Sequence, residues 1–207
     1  SGGRRGSPQS DYIREAVKIA QVSKLADPIK MLWTREDDMH AGQYRPCYYH
    51  EIRAGLAKQG NIMAWEQHIV GQSIMANTLM AGMIEEGVDP TSVEGAAGGY
   101  AIPHINVQLH TTDLGVPIQW WRSVGHTHTG YSTEVFMEEL AAAAEQDPVI
   151  YRINLLRDQP RLLGVLRLAA DKAGWGTALP KGKGRGVAVV ESFKTYVAQV
   201  AEVTVHD

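Results

Sequence analysis

Cysteine is almost absent from this sequence. Cys47 is the single one in 207 residues, so no internal disulfide can form and no cysteine-built zinc site exists. One cysteine does not fix a redox compartment. Long apolar runs are also missing: none approaches the roughly 18 residues of a membrane-crossing helix. No extended Lys/Arg tract occurs and the formal charge is −3, which argues against nucleic acid as a partner. There is no G-x-S-x-G nucleophile elbow and no H-E-x-x-H zinc helix. No pair of carboxylates stands at a recognisable catalytic spacing, and no internal repeat is present.

What the chain does have is length enough for one domain or two small ones. A chain this size buries roughly 70% of the surface its unfolded form exposes, so it folds without metal or disulfide. Its most informative stretch is Gln119 to Leu140, Q-W-W-R-S-V-G-H-T-H-T-G-Y-S-T-E-V-F-M-E-E-L. Two large aromatics and an arginine lead through a glycine-containing loop into a segment of helical periodicity. A loop that enters a helix leaves backbone N–H groups unpaired at the positive end of the helix dipole, which favours an oxyanion or phosphate. Arg122 adds a planar cation with five donors. The bland alternative is a plain strand-to-helix connection with a surface arginine.

Taken in order, Ile13, Ala16, Val17 and Ala20 predict a helix, with Ser10 as its N-cap, ended by Pro28. Ile29 to Trp33 reads as a short buried strand. Thr34 and Asp37 form a capping box; the acidic trio Glu36, Asp37 and Asp38 reads as a solvated helix start. From Tyr48 to Val70 the period is two, with Ile52, Ala54 and Leu56, then Met63, Trp65, Gln67 and Ile69, around a Lys58–Asn61 turn: a hairpin. Met75, Leu79, Met80 and Met83 point to a short helix, with methionines filling core gaps. Gly95 to Gly99 is a loop and Ala101 to His110 a strand. After the central stretch come a helix burying Val135, Phe136, Leu140 and Ala144, with Glu134, Glu138 and Glu139 early in it where the dipole favours them. A second helix starts at Asp147-Pro148, and a third spans 161 to 173, closed by Gly174. Lys181 to Gly186 is a basic, glycine-rich flexible connection. Val187 to Glu191 and Tyr196 to His206 are strands. Consecutive helices and a period-two hairpin predict an α+β fold, mixed or antiparallel sheets with flanking helices. Ser1-Gly2-Gly3-Arg4-Arg5 at one end and the alternation still running at the other read as cuts within a larger polypeptide. No apolar segment follows Arg4-Arg5, so the pair is not read as an export signal.

Eight histidines invite a metal reading. His126 and His128 lie two apart, on opposite sides of an extended loop, and read as hydrogen-bonded or solvated residues. A metal-dependent hydrolase built on the pair remains a competing class.

One resemblance covers nearly the whole chain in collinear order. T-R-E-D-D-M-H-A-G-Q-Y-R-P (34–46) resembles a segment of the xanthine dehydrogenase and aldehyde oxidase family of molybdenum hydroxylases. Within that family, S-V-E-G-A (92–96), W-R-S-V-G-H (121–126), D-P-V-I-Y-R-I-N-L-L (147–156) and G-R-G-V-A-V-V-E-S-F-K-T-Y-V-A-Q-V-A-E-V (184–203) are most similar to isoquinoline 1-oxidoreductase beta subunits. The resemblance implies that residues 1–207 are part of the molybdenum-cofactor-binding region of a larger catalytic subunit, with a possible subdivision into 1–180 and 181–207. It implies a molybdopterin dinucleotide carrying molybdenum, hydroxylation of an N-heterocycle or oxidation of an aldehyde with water as oxygen source, and 2Fe-2S clusters on an iron–sulfur small subunit. Trp121, Arg122, Ser123, Val124 and Gly125 match the loop that approaches the cofactor. Gly2 and Gly3 stand where the family has a longer glycine-rich stretch with an aromatic, which is lacking here. Val124 stands where xanthine dehydrogenases carry an aromatic that sandwiches the purine, so a purine is not implied. The family's general-base glutamate would lie beyond Asp207; no catalytic base and no protein metal ligand is assigned within the chain. The competing reading is a non-catalytic docking or assembly domain for the iron–sulfur partner, using the exposed faces of the 52–69 hairpin.

Overall fold

A computed structural model describes residues 11–24 and 26–205. Ser10, Gly2, Gly3 and His206 lie outside the described residues. The chain forms two units, one of Ser1–Tyr49, Val70–Ser92 and Leu109–Val124, the other of His50–Ile69, Val93–Gln108 and Gly125–Asp207. The class is α+β: helices with a three-stranded sheet in the order β1 (Tyr48–Leu56), β2 (Ile62–Gly71), β3 (His104–Thr111) and a two-stranded sheet of β4 (Lys183–Ser192) and β5 (Thr195–Thr204).

In the first unit, α1 (Asp11–Ser23) forms as its periodicity predicts. Its apolar residues stay in solvent, with Ile13 and Val17 about half exposed. Trp33 Nε1 donates to Glu15 Oε2 at 3.0 Å. The buried strand expected at Ile29–Trp33 is absent; the segment is irregular and Leu32 is 74% exposed. Pro28 removes a donor at its start, and among the described residues no neighbouring strand offers the segment a ladder. The Thr34 capping box is present and opens α2 (Arg35–Ala41), Asp37 N–H donating to Thr34 Oγ1 while Asp37 Oδ2 accepts from Thr34 N–H. The methionine helix reduces to one 3-10 turn at Ala81–Met83. Met75 is buried as a gap filler, but Leu79 is 91% exposed. What organises this region is Asp89, fully buried. One carboxylate oxygen accepts from Ser73 Oγ and Met75 N–H, the other from Thr91 N–H and Oγ1. Burial raises its pKa, but these bonds outweigh that and leave it lowered. α3 (Pro90–Val93) follows directly.

The second unit holds most of β1 (Tyr48–Leu56), β2 (Ile62–Gly71) and β3 (His104–Thr111). The hairpin is as predicted, closed by Ala57 N–H to Asn61 O at 2.9 Å and Gly60 N–H to Ala57 O at 2.8 Å. β1 alternates faithfully, but β2 shifts phase: Ile62 and Trp65 are both buried, whereas Met63 is 46% exposed. Gly60 has φ +82° and lies on Ala144, where a Cβ would come within 2.7 Å of the Ala144 Cβ.

α4 (His126–Ala143) is longer at its start than the sequence pattern indicates. Two expectations are overturned in this helix. Val135 is exposed, while Thr129, Gly130, Thr133, Met137 and Ala141 face the core with Leu140. Glu134 therefore lies in the helix interior, far from the dipole, and is buried for another reason: Arg152 on α5 (Pro148–Leu155). Arg152 Nε donates to Glu134 Oε2 at 3.0 Å and Nη2 to Glu134 O at 2.9 Å; Nη1 reaches Glu138 Oε2 at 3.0 Å and Pro148 O at 3.2 Å. Tyr100 Oη donates to Glu134 Oε1. Val189 N–H, on the edge of β4 that faces away from β5, donates to Glu134 Oε2 at 2.9 Å. One carboxylate thus satisfies a strand edge, a phenol and a guanidinium inside the core. Burial raises the Glu134 pKa, with Arg152 and Tyr100 opposing it.

α5 starts as predicted, with Asp147 Oδ1 accepting from Val149 N–H and Ile150 N–H. α6 (Pro160–Lys172) ends before Gly174 at φ +60°. Much of the expected flexible connection at Lys181–Gly186 is strand: β4 (Lys183–Ser192) starts inside it and pairs antiparallel with β5 (Thr195–Thr204), Lys183 opposite Thr204. Arg185 holds the glycines in register by donating to Glu202 Oε2 at 2.9 Å and Gly174 O at 3.0 Å. The two-residue turn is Phe193-Lys194, both at positive φ (49° and 60°), the geometry that right-twisted hairpins need. Leu162, Leu166, Val187, Val189, Trp65 and Met137 close the core.

Candidate functional site

The boundary between the units falls between Val124 and Gly125, so the Trp-Trp-Arg turn belongs to the first unit and Gly125 to the second. In the first unit, Gln119 is buried. Its backbone N–H donates to Tyr44 O at 2.9 Å, and Tyr44 N–H donates to Pro117 O at 2.9 Å. Its side chain donates to Gln43 Oε1 and accepts from Trp120 N–H. The segments T-R-E-D-D-M…R-P and Q-W-W-R, far apart in sequence, are thereby joined. A cleft of about 420 Å³ opens beside them, lined by amide and hydroxyl groups such as Gln43, Gln72, Asn77 and Thr78.

The chain then projects. Trp121 is 45% exposed, and Arg122 and Ser123 are exposed. Val124 N–H donates to Trp121 O at 3.0 Å. Ser123 and Val124 both sit in the left-handed region, at φ 65° and 46°. For non-glycine residues, and for β-branched valine above all, such backbone costs about 1–3 kcal/mol each and persists only where surroundings over-determine it.

In the second unit, Gly125 opens α4. Its N–H donates to Glu94 Oε1 at 2.8 Å. The helix end expected to receive an external anion already receives a carboxylate of the chain itself. Thr129 Oγ1 donates to Glu94 O at 2.8 Å, and the His126 ring lies with Nδ1 3.5 Å from Glu94 Oε1. Gly95, at φ +78°, presses on this helical turn; a Cβ there would stand 2.5 Å from His126 Cδ2. So S-V-E-G-A meets V-G-H. Beyond Gly95 lies a cleft of about 330 Å³ walled by Gly98, Gly99, Thr133, Glu191 and Tyr196.

His126 and His128 lie in the first turn of α4 and not in an extended loop. His128 Nδ1 is 2.9 Å from His50 Nε2. Trp65 Nε1 can only donate, and does so to Gln67 Oε1. The Gln67 amide nitrogen then donates to His50 Nδ1 at 3.0 Å. His50 is therefore neutral with its proton on Nε2, which it gives to His128 Nδ1. A second proton on either ring would place donor against donor. Burial lowers the His50 pKa below 6.5, so the unfolded chain takes up that proton first. The expected result is that thermal stability holds above pH 6.5, falls as pH drops from 6.5 towards the lowered value, and levels off below it, where both states carry the proton. Melting scans from pH 8 to 5 on wild type and His50→Gln check this; the variant should show the flatter dependence, and equal slopes would refute it.

Among the described residues no three His, Cys, Asp or Glu side chains gather as a metal site, and no helix is long and apolar enough to cross a membrane. Sequence reasoning missed Glu94, Gln119 and the Glu134–Arg152 pair. Only Gln67 was signalled, by its place on the buried parity of the hairpin.

Comparison with known proteins gives a consistent answer. The family described as molybdopterin cofactor-binding domain matches residues 2–155. The chain is 29% identical over 204 residues to a membrane-bound aldehyde dehydrogenase [pyrroloquinoline-quinone] of Gluconacetobacter polyoxogenes, covering 86% of the chain and 26% of that protein. It is 24% identical over 187 residues to isoquinoline 1-oxidoreductase subunit beta of Brevundimonas diminuta, covering 88% and 24%. The chain thus spans about a quarter of these relatives' length. Quinoline 2-oxidoreductase from Pseudomonas putida 86 shares the fold at a TM-score of 0.61 and 16% identity, over 77% of the chain and 23% of that structure's chain.

Proposed function

Because the chain belongs to the molybdopterin cofactor-binding domain family, we propose that it forms part of the cofactor wall of a molybdenum hydroxylase large subunit. The substrate class is aldehydes or N-heterocycles of the isoquinoline kind, in keeping with what the relatives are named for. Oxygen comes from water, and electrons leave through an iron–sulfur small subunit carrying 2Fe-2S clusters. The carrying observation is the turn Trp121–Val124, left-handed at Ser123 and Val124 and exposed at its tip.

These residues fit the group. Arg122 is a fixed-charge donor fork suited to the phosphates of a pterin dinucleotide. Trp121 is 45% exposed and offers an aromatic ring, and Ser123 beside Arg122 is exposed as well. Gly125, its N–H committed to Glu94, joins the turn to α4 without a side chain in the way. Gly2 and Gly3 belong to the same proposal. When bound, the molybdenum centre supplies the two-electron oxidation. The chain's own part is to bind, orient and shield.

The test is dye reduction by aldehyde or isoquinoline with the full large subunit that holds this chain, produced with its iron–sulfur partner in a host that makes the cofactor; the chain by itself should be inactive. Activity should disappear when the host is grown on tungstate in place of molybdate; activity that survives refutes the assignment. Arg122→Ala should lower turnover about 10–100-fold through lost positioning, with an unchanged circular dichroism spectrum. Unchanged turnover removes Arg122 from the site. A docking domain for the redox partner is the second reading, favoured by Met63 (46%) and Ile105 (49%) standing exposed on the three-stranded sheet. Co-purification of a partner with protein devoid of pterin would select it.

A further inference from the structure

We infer that Glu94 is a positioning residue: its carboxylate holds the Arg122-bearing turn in its left-handed form by fixing the residue at which that turn ends. The inference rests on the proposed role of the turn, but the device itself is a property of the chain.

Two successive non-glycine residues at positive φ, one of them a valine, relax to extended or right-handed backbone unless both ends of the segment are fixed. Upstream, Val124 N–H closes on Trp121 O. Downstream, the constraint falls on Gly125, which itself has unlimited conformational choice and yet is held at φ −63°, ψ −35°. It has no side chain to cap α4. The N–H that would otherwise be bare is taken by Glu94 Oε1 at 2.8 Å. This is a charge-assisted bond at the positive end of an 18-residue helix, about twice as strong as a neutral one.

The carboxylate is itself aimed. Thr129 Oγ1 donates to the Glu94 carbonyl, one turn into the same helix. Gly95 has no Cβ because His126 and Thr129 occupy the place where one would go. Glu94 therefore grips the first turn of α4 with main chain and side chain at once. A glutamine keeps the accepting oxygen and loses only the charge. An alanine leaves Gly125 N–H without its partner and lets the last turn residues rotate.

The experiment uses the chain without cofactor. In the unsubstituted protein, a scalar coupling across the hydrogen bond should link the Gly125 amide nitrogen to the Glu94 side-chain carboxyl carbon. Glu94→Ala should accelerate Gly125 amide exchange about tenfold or more, as expected for loss of one such bond, and move the Ser123 and Val124 Cα shifts towards extended values. Glu94→Gln should show protection between that of the unsubstituted protein and Glu94→Ala, with the wild-type shifts kept. Absence of the coupling, or a Glu94→Ala spectrum unchanged at 123–125, overturns the inference. So does Glu94→Gln behaving as Glu94→Ala. None of these readouts involves pterin, so failure of the cofactor assignment and failure of the Glu94 role are told apart.

Discussion

Arg152→Ala should destabilise the second unit by about 3–5 kcal/mol, the cost of stranding a buried charge. Arg152 is fully buried and Glu134 is 6% exposed. Removing the guanidinium leaves the Glu134 carboxylate in the core with only Tyr100 Oη and Val189 N–H to satisfy it. The Glu134 carbonyl and Pro148 carbonyl lose a donor as well. Urea titration followed by the fluorescence of buried Trp65 measures the loss. Two further results identify the cause. Glu134→Gln in the Arg152→Ala background should recover part of the stability, because a neutral amide is cheaper to bury than an unpaired carboxylate. The penalty should also shrink as pH is lowered, since a protonated Glu134 no longer needs the arginine. A loss below about 1 kcal/mol, of the size seen for exposed pairs, would show that the network is not closed as described.

Gly95→Ala is the second large effect. An L-residue in the left-handed region costs about 1–2 kcal/mol. Here the added methyl also meets His126 Cδ2 at 2.5 Å and Thr129 Oγ1 at 2.8 Å, and overpacking of this kind costs about 1–3 kcal/mol more. The combined loss of about 2–5 kcal/mol should come with displaced His126 ring resonances. Gly164→Ala is the internal control. That glycine lies on the exposed side of α6 with open space at the Cβ position, so alanine should stabilise the helix by about 0.5–1 kcal/mol. Equal effects at the two positions would remove Gly95 from any special role.

Local patterns carried much of the fold. The Thr34 capping box, the Asp147-Pro148 helix start and the 48–70 hairpin are signals within a few residues, and each is present. What the pattern concealed is tertiary. Glu134 reads as a first-turn acid because its partner Arg152 lies in another helix, and no local rule links them. Val135 reads as buried from its apolar character, but the small and hydroxyl residues Thr129, Gly130 and Thr133 share the core face with Met137, Leu140 and Ala141 instead. Ile29–Trp33 is apolar enough for a strand but finds no neighbour to pair with. Of the candidate site, the Trp121–Gly125 turn was visible from its residue types and from the family resemblance. Its strain at Ser123 and Val124 was not, because neither residue favours positive φ. Glu94 was within a quoted motif yet silent, since a glutamate before a glycine has no assigned partner until the chain folds back on α4.

The most direct test of the account is the amount of pterin held by the protein. Purified with its iron–sulfur partner from a host that makes the molybdenum cofactor, the large subunit that holds this chain should carry close to one fluorescent pterin per subunit after oxidative release, and its Arg122→Ala variant should carry clearly less at the same melting temperature. Pterin-free wild type, or full loading of the variant, would contradict the claim that this turn faces the cofactor.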